Sequence, residues 1–262
     1  METIISTDGT MIAYVRSGTG PPLVLVHGTT ADHTRWAPVL PAFEQYFTVY
    51  AVDRRGRGGS GDAEPYVIER EFEDLVALVN SIEEPVFLLG HSYGALCSLE
   101  AARCTAHLRK LVLYEPPIPT GIEIYPSEIV TRIQALLDAG DREAAVTTFL
   151  RDIARVPPHE MEILRSAPNW PARIAAAHTI PREMRGSNEY IFAPARFRSL
   201  PTPTLLLLGG DSPPFFKAAI EAVRAALPES RVVVMPGQQH TAMNTAPELF
   251  IREAFQFLAH KD

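Results

Sequence analysis

Short apolar or β-branched runs recur along the 262-residue chain at residues 23–26, 48–52, 86–89, 111–114, 204–208 and 231–234. Runs of this length and purity predict strands buried on both faces. Between them the hydrophobic period lengthens to that of a helix: residues 36–46, 66–82 (with Phe72, Leu75, Val76 and Val79 on one face), 95–102, 214–226 and 247–259. Strand and helix alternating at short spacing predict parallel crossovers and a doubly wound, mostly parallel α/β sheet. Residues 4–7 and 11–16, joined by Asp8-Gly9, predict an antiparallel hairpin at its edge. The rhythm stops from residue 115 to 200, where proline-punctuated helical stretches (126–139, 141–154, 158–167, 170–184) replace buried strands. The expected organisation is a core built from residues 1–114 and 201–262. A helical cap, residues 115–200, is inserted between two core strands and lies over the strands' carboxyl ends.

Charge and composition narrow the partners. The net charge is −7, with 24 basic against 31 acidic residues, which argues against nucleic acid or an anionic membrane surface. The densest basic cluster, Arg54, Arg55 and Arg57, reads as a loop after a strand. No apolar run approaches the roughly 20 residues of a membrane span, and the N-terminus lacks a signal-peptide pattern. Cys97 and Cys104 fall on one predicted helix with α-carbons about 10 Å apart, beyond disulfide reach. They read as buried small hydrophobes in a reducing compartment, so a cytoplasmic location is expected.

The stretch that carries chemistry is Gly90-His91-Ser92-Tyr93-Gly94, set between a predicted strand and a predicted helix. A G-x-S-x-G there is a nucleophile elbow: the serine sits in a strained turn, and side chains at the two glycine positions would crowd neighbouring backbone. A serine hydroxyl needs an adjacent base, and the base needs a carboxylate to fix its tautomer. Strands of a parallel sheet gather such groups at their carboxyl ends, where Asp53, Ser92, Glu115, Asp211 and His240 all fall. Ser92, Asp211 and His240 follow the chain order Ser…Asp…His, with Glu115 the rival acid at the preceding strand's end.

With the His27-Gly28 pair, Asp53-Arg54-Arg55-Gly56-Arg57-Gly58 and Leu208-Gly209-Gly210-Asp211 added, the chain resembles the α/β-hydrolase superfamily in its lid-bearing, esterase-like branch. The resemblance implies Ser92 as nucleophile, His240 as general base and acid, and Asp211 as the orienting carboxylate. It also implies an oxyanion hole from the backbone N–H groups of Thr29 and Tyr93. The expected activity is hydrolysis of a small-molecule ester, thioester or lactone through an acyl-enzyme on Ser92. Perhydrolase, C–C hydrolase, hydroxynitrile lyase and slow-turnover receptor readings use the same residues. No His, Cys, Asp and Glu spacing suits a metal, and no glycine-rich stretch suits a nucleotide, so no cofactor is expected. The charges of the inserted segment favour a soluble substrate over a lipid interface.

Overall fold

The structure, a computed structural model, describes residues 1–121 and 123–259. Its strands are β1 (Glu2–Ile5), β2 (Met11–Ser17), β3 (Pro22–Val26), β4 (Thr48–Val52), β5 (Val86–His91), β6 (Leu108–Tyr114), β7 (Thr204–Gly209) and β8 (Ser230–Met235). They form one eight-stranded sheet in the order β1-β2-β4-β3-β5-β6-β7-β8. The β1/β2 and β2/β4 pairs are antiparallel, and from β4 through β8 every pair is parallel. The predicted doubly wound sheet is therefore present, with β3 between β4 and β5 so that the winding reverses there.

Alternation along the central strands divides the core. Val24, Val26, Leu88, Leu111, Leu113, Leu206 and Leu208 face one layer, packed with Phe72, Leu75, Leu99, Ile220 and Val223. Leu23, Leu25, Phe87, Leu89, Val112, Tyr114, Leu205 and Leu207 face the other, packed with Trp36, Phe43, Phe250 and Phe257. A period of two with both parities apolar is what a sheet covered on both faces requires. Helices α1 (Leu40–Phe43), α2 (Ile68–Ser81) and α3 (Tyr93–Arg103) help cover it; after β6 come α4 (Ser127–Asp138), α5 (Arg142–Thr148), α6 (Pro158–Ser166), α7 (Trp170–Ala175) and α8 (Ile180–Glu189). After β7 come α9 (Pro214–Ala226), α10 (Ala242–Thr245) and α11 (Pro247–Leu258). Helices α4 to α8 lie in the chain between β6 and β7 and contribute to an apolar cluster of their own, including Ile133, Val146, Phe149, Ile153, Ile180 and Met184.

Several expectations change. The helix expected over 36–46 is a 3-10 turn, His33–Trp36, followed by the four-residue α1. Pro38 and Pro41 lack the N–H groups a continuous helix would need. The helix expected over 170–184 is broken at the 3-10 turn Ala177–Thr179, and Pro181 opens α8. Cys97 is buried as expected but Cys104, at the C-terminal cap of α3, is exposed.

Candidate active site

Ser92 occupies the junction of β5 and α3 with φ 56° and ψ −127°, a conformation unfavourable for a residue with a side chain. Its N–H donates to Tyr114 O at 2.8 Å, tying the elbow to β6. The flanking glycines are sterically required. A Cβ on Gly94 would lie 2.3 Å from His27 O, and one on Gly90 would lie 2.6 Å from the Cα of Ala95. Gly28 is pressed equally close, since a Cβ there would meet Ser92 Cβ at 2.7 Å. The loop that follows β3 therefore runs directly against the serine.

His240 comes from the loop between β8 and α10, and it is held on all sides. Its Nδ1 lies 2.5 Å from Glu115 Oε2, Phe216 stacks on its ring at 4.3 Å between centroids, and His91 packs at 4.6 Å. His91 Nε2 donates to His240 O at 2.8 Å, fixing the backbone as well. Glu115 follows β6 directly, is fully buried, and has φ 48°. Its second oxygen, Oε1, accepts from Gly209 N–H at 2.7 Å. With a carboxylate as acceptor, His240 Nδ1 is the protonated nitrogen and Nε2 is left as the basic one.

The expectation that Asp211 faces His240 is corrected by this geometry. Asp211 is exposed on the turn after β7, where its N–H donates to Gln238 O at 2.9 Å. That backbone bond fixes the turn beside the His240 loop, while the buried position against the imidazole is filled by Glu115. The structure thus brings together Ser92, His240 and Glu115 and leaves Asp211 outside.

Thr29 and Tyr93 both belong to segments that adjoin the serine. Thr29 follows Gly28 and lines the same cavity as Ser92 and His240. Tyr93 opens α3; its ring points into the core under the Arg54 guanidinium, 4.7 Å away, and its hydroxyl is 2.7 Å from that of Tyr66. His27 braces the loop: Nδ1–H donates to Gly28 O at 2.8 Å and Nε2 accepts from Arg54 N–H at 3.2 Å. Burial, and then the charges of Arg54 and Arg57, hold this histidine well below its ordinary value and so neutral. Beneath the loop, Arg54 donates to Glu183 of α8 at 2.7 Å and to Glu71 of α2 at 3.1 Å, and Arg57 also bonds Glu183. Burial opposes the charge on Glu183, but the charges of Arg54 and Arg57 more than offset it and lower its pKa.

The cavity at Ser92 is small, about 40 Å³. Its far wall is apolar and comes from the segment between β6 and β7: Ile124, Phe149, Leu150, Ile153, Val156 and Leu164. Two arginines that the sequence reading passed over, Arg35 and Arg173, also line it. Neither lies in a motif, and only their burial sets them apart. Trp36, Trp170 and Phe192 pack in the hydrophobic clusters instead of lining the cavity.

Asp32, His33 and Asp53 form the cluster of metal-ligand type among the described residues, with ligand atoms within 4.8 Å of one another. Several of its polar atoms are already engaged within the loops. Asp53 Oδ1 accepts from His33 N–H and Nδ1, both at 2.8 Å, and Oδ2 accepts from Gly59 N–H at 2.9 Å. Asp32 Oδ1 accepts from Thr34 N–H at 2.9 Å. The cluster orders the arginine-rich loop. Among the described residues no helix is long and apolar enough to cross a membrane.

Comparison with known proteins agrees with the geometry. The chain is 25% identical over 256 residues to 2-(acetamidomethylene)succinate hydrolase of Mesorhizobium japonicum, covering 92% of this chain and 89% of that one. N-formylmaleamate deformylase of Pseudomonas putida is 33% identical over 141 residues, 52% of this chain and 53% of the relative. An alpha/beta hydrolase from Sphaerobacter thermophilus superposes with a TM-score of 0.80 at 37% identity, covering 95% of this chain and 100% of that one. The model of the alpha/beta hydrolase family matches residues 23–253. An elbow serine between β5 and α3, an acid-held histidine after β8 and a match spanning most of the chain agree: this protein belongs to the alpha/beta hydrolase family.

Proposed function

We propose that the protein is a serine hydrolase of small soluble substrates, with Ser92, His240 and Glu115 as its catalytic triad. The observation that carries the reading is the pairing of a buried Glu115 with Nδ1 of His240, whose ring lines the same cavity as Ser92 on its strained elbow. Ser92 Oγ attacks the substrate carbonyl while its proton passes to His240 Nε2. The imidazolium is stabilised by Glu115, and the oxyanion is received by the N–H groups of Thr29 and Tyr93. Collapse of the tetrahedral intermediate breaks the bond to the leaving group, which takes the proton from His240. Water, deprotonated by the same nitrogen, then releases the acid and regenerates Ser92. The positive end of α3 and preorganised N–H donors supply the charge stabilisation; one such donor contributes roughly 3 kcal/mol in serine hydrolases.

The helices between β6 and β7 act as a cap, since they supply the apolar wall opposite Ser92. The bond cleaved is a carboxylic ester, thioester or lactone. A second reading, cleavage of an N-acyl bond, is favoured by the relatives named for an acetamidomethylene compound and for removal of an N-formyl group. Fluorophosphonate labelling of wild-type and Ser92→Ala protein, with p-nitrophenyl acetate and butyrate turnover alongside, tests the mechanism. Labelling and multiple turnover that vanish in a folded Ser92→Ala protein are expected. Undiminished turnover in that variant would refute it.

A further inference from the structure

Among the described residues five arginines are buried: Arg35, Arg54, Arg55, Arg57 and Arg173. Arg54, Arg55 and Arg57 are each salt-bridged, to Glu183 and Glu71, to Asp74 and Asp8, and to Glu183. Arg35 and Arg173 differ. Each is only 4% exposed, and among the described residues neither has a carboxylate oxygen within 4.0 Å. Arg35 donates to the Asn244 Oδ1 carbonyl at 2.6 Å and to Met243 Sδ at 2.9 Å, both neutral acceptors. Arg173 donates to Thr30 O and Oγ1, each at 3.1 Å, and its Nε is buried with no partner.

Two acids act on these guanidiniums without contacting them. Glu160 of α6 accepts from Thr241 Oγ1 at 2.6 Å, and Asp32 accepts from Thr34. Desolvation dominates, drawing Arg35 down to about 9, with the Arg173 charge adding to the fall, and Arg173 down to about 10. Both remain cationic at neutral pH. A buried cation with no carboxylate in contact is costly, and at a cavity an anionic ligand can supply that contact. Both arginines line the cavity that holds Ser92 and His240.

We propose that Arg35 and Arg173 bind a carboxylate of the substrate, making the preferred substrates short carboxylic acid derivatives that carry a second, free acid group. A planar guanidinium fork matches the two oxygens of a carboxylate, and the otherwise apolar wall suits a short hydrocarbon spacer between that acid and the reacting carbonyl. The small cavity favours a short chain. The proposal rests on the hydrolase reading of Ser92 for the word substrate, but the anion site itself does not.

Two measurements separate them. The first compares kcat/KM for monomethyl succinate and dimethyl succinate, which share an acyl chain and differ in one negative charge. The second is calorimetric titration of succinate into Ser92→Ala protein, alone and combined with Arg173→Gln. A preference of at least about tenfold for the monoester is expected. In Arg173→Gln that preference should fall about tenfold, to near parity, mainly through a higher KM for the monoester, with Arg173→Lys recovering part of it. Succinate should bind the Ser92→Ala protein and bind the double variant far more weakly. Arg35→Gln serves the same comparison if Arg173→Gln does not fold. Succinate binding without turnover of any ester would uphold the anion site and overturn the hydrolase reading. Turnover of both esters with no preference, and no succinate binding, would overturn the anion site and leave the hydrolase reading standing.

Discussion

Replacing Glu115 by Gln tests which acid serves His240, because it changes one proton position and almost nothing else. Glu115 is fully buried and uses both oxygens: Oε1 accepts from Gly209 N–H at 2.7 Å, and Oε2 faces His240 Nδ1 at 2.5 Å. The Gly209 bond can be kept by the amide oxygen of Gln. The amide NH₂ then faces Nδ1 and donates to it, so the proton of the neutral imidazole moves to Nε2. That nitrogen can no longer accept the Ser92 proton. Loss of the orienting carboxylate in serine proteases costs about 10⁴ in kcat, or roughly 5 kcal/mol of transition-state stabilisation. A fall of about 10³- to 10⁴-fold in kcat on p-nitrophenyl acetate is therefore expected, with little change in KM. Asp211→Asn alters an exposed side chain and should leave kcat within about twofold. Circular dichroism and thermal melting of both variants check that the fold is intact. The reverse ranking, with Asp211→Asn inactive and Glu115→Gln near wild type, would refute the assignment.

Two further outcomes concern stability. Glu183→Gln leaves Arg54 and Arg57 without their shared buried counterion and should cost about 3 kcal/mol in urea unfolding at neutral pH; a loss under about 1 kcal/mol would show the network to be dispensable. The pH profile should have two arms. Burial, with the nearby Arg54 for His27 and the nearby His240 for His91, holds both histidines well below 6.5, so the unfolded chain takes up protons there that the folded chain does not. Stability therefore falls as pH drops below 6.5, by about 1.4 kcal/mol per pH unit for each histidine. The His33 hydrogen bond to Asp53 raises its pKa above 6.5, so its contribution is complete below 6.5 and lost as pH climbs through the folded value. Melting temperature against pH should lose part of its acid arm in His27→Gln and part of its alkaline arm in His33→Gln; unchanged arms would count against the linkage.

The central parallel strands were legible because each is a short apolar run with glycine, proline or a polar loop at its end. The elbow was legible because its geometry tolerates little besides G-x-S-x-G. Where prolines interrupted an apparent helical period, as at Pro38, Pro41 and Pro181, the hydrophobic pattern ran through breaks that the backbone could not. The acid was not legible. Glu115 and Asp211 both follow parallel strands that pair with each other, and chain order favoured Asp211. The sharp turn at Glu115, with φ 48°, and the backbone bond from Asp211 to Gln238 decide which carboxylate lies beneath the imidazole.

By itself the sequence determined the α/β sheet, the position of Ser92 and the candidacy of His240. Such features follow from hydrophobic period and from steric limits on adjacent residues, which act within a few positions along the chain. Only the tertiary structure decided that Glu115 pairs with His240, and that Arg35 and Arg173 line one cavity with no carboxylate in contact. Those facts depend on how separate elements pack and on which side chains that packing removes from water. Desolvation and pairing are properties of the assembled interior.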